Sequence, residues 1–237
     1  MAGLFMCAMA DQDPSDLDAL IARVDPDRWL SSRFINDAGA RADVITLYAF
    51  DYELARAPRV ATNPLMGEIR LTWWREVLDE VFDGRAVRQH PTAQALAVVI
   101  TRHSLPREAL ETLVDARYRE LDPKPMALTD ALAWAAGTGG TIATLCTHIL
   151  DPKADMRPAQ SGGQAWSIGM LMGTAGLAGS EAQGALQYAL QGARGLSVAA
   201  FPAIAHATLA RQRAKGQRPG PLSARLRILS AVLRGRV

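Results

Sequence analysis

The segment LYAFDYELARAPRV, residues 47–60, places two carboxylates and two arginines on what reads as one helix. A helix that grips magnesium and a diphosphate needs two carboxylates at i and i+4, which lie on one face about a turn apart. Asp51 and Glu53 are separated by roughly 200° of helical rotation, so they cannot share one cation. One turn beyond Asp51 stands Ala55, followed by Arg56. A lone carboxylate is a weak magnesium site, because that ion sheds water reluctantly and prefers several hard oxygens. The plainer reading is an ion pair between Asp51 and Arg56 or another neighbour. Correctly spaced acids do occur elsewhere, as Glu76/Glu80, Asp79/Asp83 and Glu111/Asp115. Such pairs arise readily by chance on the solvated face of a helix.

Other chemistry finds less support. His90, His103, His148 and His206 are too far apart to form a metal motif. The GTGG run at residues 137–140 lacks the Lys-Ser/Thr and the preceding strand of a phosphate loop. No nucleophile elbow is present. GEIRLTWWRE is more distinctive: Arg70 and Arg75 flank Trp73 and Trp74. Arginine can fork onto a phosphate and stack on an indole. Alternatively, one tryptophan fills the core while the arginines pair with Glu68, Glu76 or Asp79.

The elements that must position these residues read as helices throughout. Leu17, Leu20, Ile21 and Val24 form one apolar stripe after an acid-rich start. A short helix spans about residues 26–34, and a longer one 38–55, ending before Pro58. Residues 57–67 read as a loop and 66–82 as a strong helix. Further helices cover residues 90–103, 106–122 and 127–151, the last interrupted by Gly137, Gly139 and Gly140. Glycines there imply a kink or the close approach of another element. Residues 152–163 read as a polar loop. Helices follow over 164–179, 180–193 and 197–216, and residues 222–236 form a basic amphipathic helix. The expectation is one all-α domain over residues 1–237, an irregular bundle with a central cavity, with residues 1–15 flexible.

Composition agrees. Of 237 residues, 49% are hydrophobic and only 6% aromatic, which suits closely packed helices. A formal charge of +2 gives no reason to expect nucleic acid as a partner. After Ala210, eight basic residues occur without an acid, a run that could touch phosphates or an anionic surface. Cys7 and Cys146 match no metal or redox spacing, which fits a reducing, cytoplasmic setting. The N-terminus is a poor secretory signal, and no apolar run reaches the ~18 residues of a membrane span.

The segments LYAFDYELAR, PLMGEIRLTWWREVLDEVFDG, HPTAQAL, DARYRELDPKPM and GTGGTIATL together resemble the squalene/phytoene synthase family. The resemblance runs from about residue 33 to the end. It implies an isoprenoid-synthase-like helical bundle around a long apolar cavity, in which two aspartate-rich helices hold magnesium on prenyl diphosphates. Tyr48-Ala49-Phe50 matches the run before the first motif, whose adjacent aspartates would then fall at Ala55 and Arg56. The second motif should lie within residues 163–179, which contain no acid. The chain is therefore most similar to the aspartate-poor branch that resembles the mitochondrial complex I assembly factor.

That branch implies a non-catalytic protein that binds an isoprenoid, another lipid or a protein partner, and assists respiratory complex assembly. Arg56, Arg70 and Arg75 are the expected anion contacts, with Tyr48, Asp51, Glu53, Glu111 and Asp115 around the cavity mouth. No metal or cofactor is expected. The alternative is an active prenyl transferase that uses magnesium with Asp51, Glu53 or Glu111/Asp115 in unorthodox positions. A second alternative is a protein that docks on a membrane surface through its basic last helix. The expected location is cytoplasmic, peripheral to the inner membrane.

Overall fold

The computed structural model describes residues 14–60, 63–174 and 177–237. Cys7 and the flexibility expected of residues 1–13 lie outside the described residues. Among the described residues every regular element is helical, as the periodicity predicts.

The chain runs through α1 (Pro14–Val24), α2 (Pro26–Ser32), α3 (Ala38–Arg59), α4 (Pro64–Phe82), α5 (Pro91–His103) and α6 (Arg107–Tyr118). It continues through α7 (Leu128–Ala135), α8 (Thr141–Leu150), α9 (Met156–Thr174), α10 (Ser180–Gly192), α11 (Ala210–Ala214) and α12 (Pro221–Arg234). Two of these helices are central. Helix α3 packs against α1, α4, α5, α6 and α8, while α9 packs against α7, α8, α10 and α11. Residues 43–51 of α3 are buried on all sides, as a helix at the middle of a bundle must be. Tyr48, Phe50, Leu47 and Leu54 are among the largest fully buried side chains.

Glycine lets α9 sit at the centre. Between α7 and α8 the backbone widens into a π-helical turn, Ala136–Gly140. A Cβ on Gly139 would strike the backbone of Gly163, and a Cβ on Gly163 would strike the backbone of Gly139. The glycines that interrupt residues 127–151 thus mark a backbone-to-backbone crossing with α9.

Several boundaries differ from the expected ones. Helix α3 passes Pro58 and ends at Arg59. Proline forfeits one hydrogen bond near a helix end, a small loss where buried Ala57 already holds the turn against the core. Helix α4 starts at Pro64, because Asn63 caps it by accepting from the Met66 N–H at 3.0 Å. Helix α9 starts at Met156, inside the stretch expected to be a loop. Residues 197–216 are not one helix. They form 3-10 turns at Phe201–Ala203 and Ala205–Leu209 before the short α11. Pro202 has no N–H to give, and Ser31 serves the freed backbone groups. Its hydroxyl donates to the Pro202 carbonyl at 2.7 Å and accepts from the His206 N–H at 3.2 Å.

Candidate functional site

Two cavities adjoin the second half of α3. The larger encloses about 550 Å³ and is walled by the α1–α2 corner, α3, Trp134 of α7, Trp166 and Met170 of α9, and the start of α12. The smaller, about 280 Å³, lies between α3 and α4.

Asp51 sits in the floor of the larger cavity, not at its mouth, and is 4% exposed. Its Oδ2 accepts from Arg28 Nη1 and its Oδ1 from Arg117 Nη2, both at 2.6 Å. Burial alone would raise its pKa, but Arg117 and Arg28 outweigh burial and hold it down at about 2. Arg117 also donates to Glu120 at 2.6 Å, and Glu120 accepts from the Trp134 indole at 3.0 Å. The guanidinium of Arg28 lies 5.4 Å from the Tyr48 ring centre and that of Arg117 5.8 Å from Trp134. Asp51 does not pair with Arg56, which approaches Glu53 instead. The partners of Asp51 come from α2 and α6.

Tyr48 is likewise deep in this floor. Among the described residues its hydroxyl has no oxygen or nitrogen partner, only the Cys146 thiol beside it, and burial pushes the phenol well above its ordinary pKa. Behind it, burial pushes the Cys146 thiol up to about 12. His206 meets the edges of Tyr48 and Trp166, with ring centres 6.5 and 5.1 Å away. Burial, with help from Arg28, keeps that imidazole neutral well below pH 6.5. The rim is basic. Arg23, Arg59, Arg218 and Arg225 are exposed lining residues, and Arg213 pairs with buried Asp27. Seven arginines face this cavity against Asp25, Asp27 and Asp51.

Glu53, Arg56 and Arg70 come together in the smaller cavity, beside Trp73, Trp74 and His90. Arg56 approaches Glu53 only to 3.6 Å, and among the described residues the buried Nη1 of Arg70 has no partner. Burial raises the Glu53 pKa against the pull of Arg56, and burial lowers that of His90. Trp74 fills the core against Phe50, as the structural alternative supposed, but Arg75 does not take the Glu68, Glu76 or Asp79 partner it expected.

The remaining expected residues lie elsewhere. Arg75 pairs with Asp115 and lies over Tyr118, and Glu111 accepts from Arg107 at 2.7 Å. None of Arg75, Glu111 and Asp115 lines either cavity. The acid pairs on α4 are also taken: Glu76 and Glu80 by Arg88, Asp79 by Arg107 and Asp83 by Arg85.

Sequence reasoning missed Arg28, Arg59 and Arg117, and took Arg213, Arg218 and Arg225 only as part of a basic run that could touch phosphates or an anionic surface. One signal was in plain view: 23 arginines stand against three lysines. Arginine is the cation suited to buried ion pairs and to forked recognition of phosphate.

Magnesium, which the fold implies, does not fit the residues present. Both Asp51 oxygens are engaged, Ala55 occupies the next turn, and α9 offers Trp166, Ser167 and Met170 to the cavity. Among the described residues no group of three or more His, Cys, Asp or Glu converges on a point.

Geometry and sequence together define an isoprenoid-synthase-type helical bundle, and the chain belongs to the squalene/phytoene synthase family. The family model matches residues 21–175. In fold the chain is similar to a dehydrosqualene synthase solved with ligand, with TM-score 0.72 and 11% identity over 94% of this chain and 95% of that one. It is also similar to squalene synthase HpnC from Alicyclobacillus acidocaldarius, with TM-score 0.61 and 16% identity over 94% of each chain. Its curated relatives include NADH dehydrogenase (ubiquinone) complex I, assembly factor 6, from Bos taurus and from Homo sapiens. Each is 27% identical over 135 residues, which is 56% of this chain and 40% of the relative. The match thus spans about two fifths of the length of those relatives.

Proposed function

We propose that this chain is a non-catalytic member of the family, that its larger cavity holds an isoprenoid or other lipid with an anionic head, and that it assists assembly of a respiratory complex. One observation carries the reading: Asp51, the acid that α3 presents to the larger cavity, is locked between Arg28 and Arg117. Ionising an allylic diphosphate draws several kcal/mol of charge stabilisation from bound metal. A cavity whose three carboxylates all face arginines, with Asp51 held between two guanidiniums, gives a metal little purchase. It suits an anion instead, since guanidinium–phosphate bonds are forked and charge-assisted. Apolar Tyr48, Trp134, Trp166 and Met170 provide for a hydrocarbon tail, and 550 Å³ falls within the range of small-molecule sites, about 300–1,000 Å³. The similarity to the complex I assembly factor supports the assembly role.

The test has two parts. Purified chain incubated with magnesium and farnesyl or geranylgeranyl diphosphate should yield neither squalene- nor phytoene-type hydrocarbon nor released pyrophosphate. Organic extraction of the purified chain followed by mass spectrometry should recover a stoichiometric lipid. Hydrocarbon product would establish the prenyl transferase instead, and a chain free of lipid that also fails to bind farnesyl diphosphate would end the cavity reading. Deleting the gene in the source organism should deplete assembled complex I on native gels.

A further inference from the structure

Helix α12 carries two apolar faces, and among the described residues only one is packed. Ala224, Ile228 and Ala231 are buried against the 3-10 segment Ala205–Leu209. On the opposite side Leu222, Leu226, Leu229 and Leu233 are 74%, 67%, 40% and 78% exposed. At about 100° per residue these four fall within an arc of roughly 60°. Four leucines aligned on a solvent face are more than the scattered apolar residues of an ordinary surface.

Charge says what covers them. Arg225 lies on one side of the stripe, and Arg227 and Arg234 on the other. No acid occurs anywhere in residues 182–237. A second copy of the helix would bring arginine against arginine with no glutamate to pair them, which disfavours self-association. An anionic bilayer answers both features: the leucines enter the acyl boundary while the arginines reach up to lipid phosphates. Among the described residues no helix is long and apolar enough to cross a membrane.

We infer that α12 is an interfacial helix that seats the protein on an anionic lipid surface. Pro221, Ala224 and Arg225 also wall the larger cavity, so docking turns its basic rim toward the head groups. The docking does not depend on what the cavity holds.

Vesicle flotation of the whole chain tests this. The chain should float with phosphatidylcholine vesicles containing phosphatidylglycerol and stay behind with phosphatidylcholine alone. Leu226→Gln/Leu233→Gln should cut binding by more than tenfold with an unchanged melting temperature, since both side chains are already in solvent. Arg227→Gln/Arg234→Gln, neither of which lines a cavity, should weaken binding about fivefold per charge and flatten its salt dependence. The inference is overturned if the native chain ignores anionic vesicles, or if Leu226→Gln/Leu233→Gln floats as the native chain does. It is also overturned if light scattering shows a dimer that this variant dissolves while vesicle binding stays absent.

Discussion

Asp51 shows how the partners of one buried residue define its electrostatics. Its carboxylate is saturated by Arg28 and Arg117, and neither guanidinium can be left alone without cost. Removing one partner of a buried ion cluster strands the others, at a cost of about 3–5 kcal/mol. Asp51→Asn should therefore lower stability by about that amount, read as the urea midpoint, and shift the melting temperature by roughly 10 °C. The acid limb checks the same contact. The folded pKa of about 2 lies below the ordinary 3.8, so the native state holds this carboxylate ionised where the unfolded chain would protonate it. The contribution is complete above about pH 4 and is lost as pH falls from there through 2. The native chain should lose stability across that window, and Asp51→Asn should lose less of what remains.

At the scale of elements, α9 decides the packing. It crosses the π-helical turn where Gly139 and Gly163 touch through their backbones, and it runs so close to α11 that a Cβ on Gly169 would meet Ala210. Gly163→Ala should destabilise by about 3 kcal/mol or more, because the atom in the way is backbone and cannot rotate aside. Gly184→Ala is the matched control. It lies within α10 with nothing within 4 Å of the added Cβ, and it should stabilise by about 0.5–1 kcal/mol. Thermal melts of the pair separate close approach from helix propensity. The same helix presents Trp166, Ser167 and Met170 to the larger cavity, so the packing helix also supplies a cavity wall without a carboxylate.

At the scale of the molecule, charge is divided along the chain. Almost all acids precede Asp155, with Glu181 the last, whereas arginines continue to residue 236. Folding returns Arg213, Arg218 and Arg225 to the cavity that Arg23, Arg28, Arg59 and Arg117 already line. A cavity so arranged concentrates anions at its mouth. Arg59→Gln and Arg218→Gln, both at the exposed rim, should each weaken farnesyl diphosphate binding roughly tenfold in calorimetry. Arg75→Gln, which faces neither cavity, should leave binding unchanged. Equal affinity for all three variants would place the anion elsewhere.

The all-helical class, the family text around GEIRLTWWRE and the lack of acid in residues 163–179 were properties of the sequence alone. Each follows from local periodicity or from residue type at a known spacing, and neither needs a partner to be defined. Tertiary structure alone decided what Asp51 touches. Its partners lie 23 and 66 positions away, on helices whose crossing angles no local pattern specifies. It also separated Arg56 and Arg70, which share a groove, from Arg75, which pairs with Asp115 on the surface. The two faces of α12 make the same point. The sequence reads as one basic amphipathic helix, but packing buries Ala224, Ile228 and Ala231 and leaves Leu222, Leu226, Leu229 and Leu233 in solvent. Periodicity fixes the face on which a side chain lies; packing fixes what stands opposite.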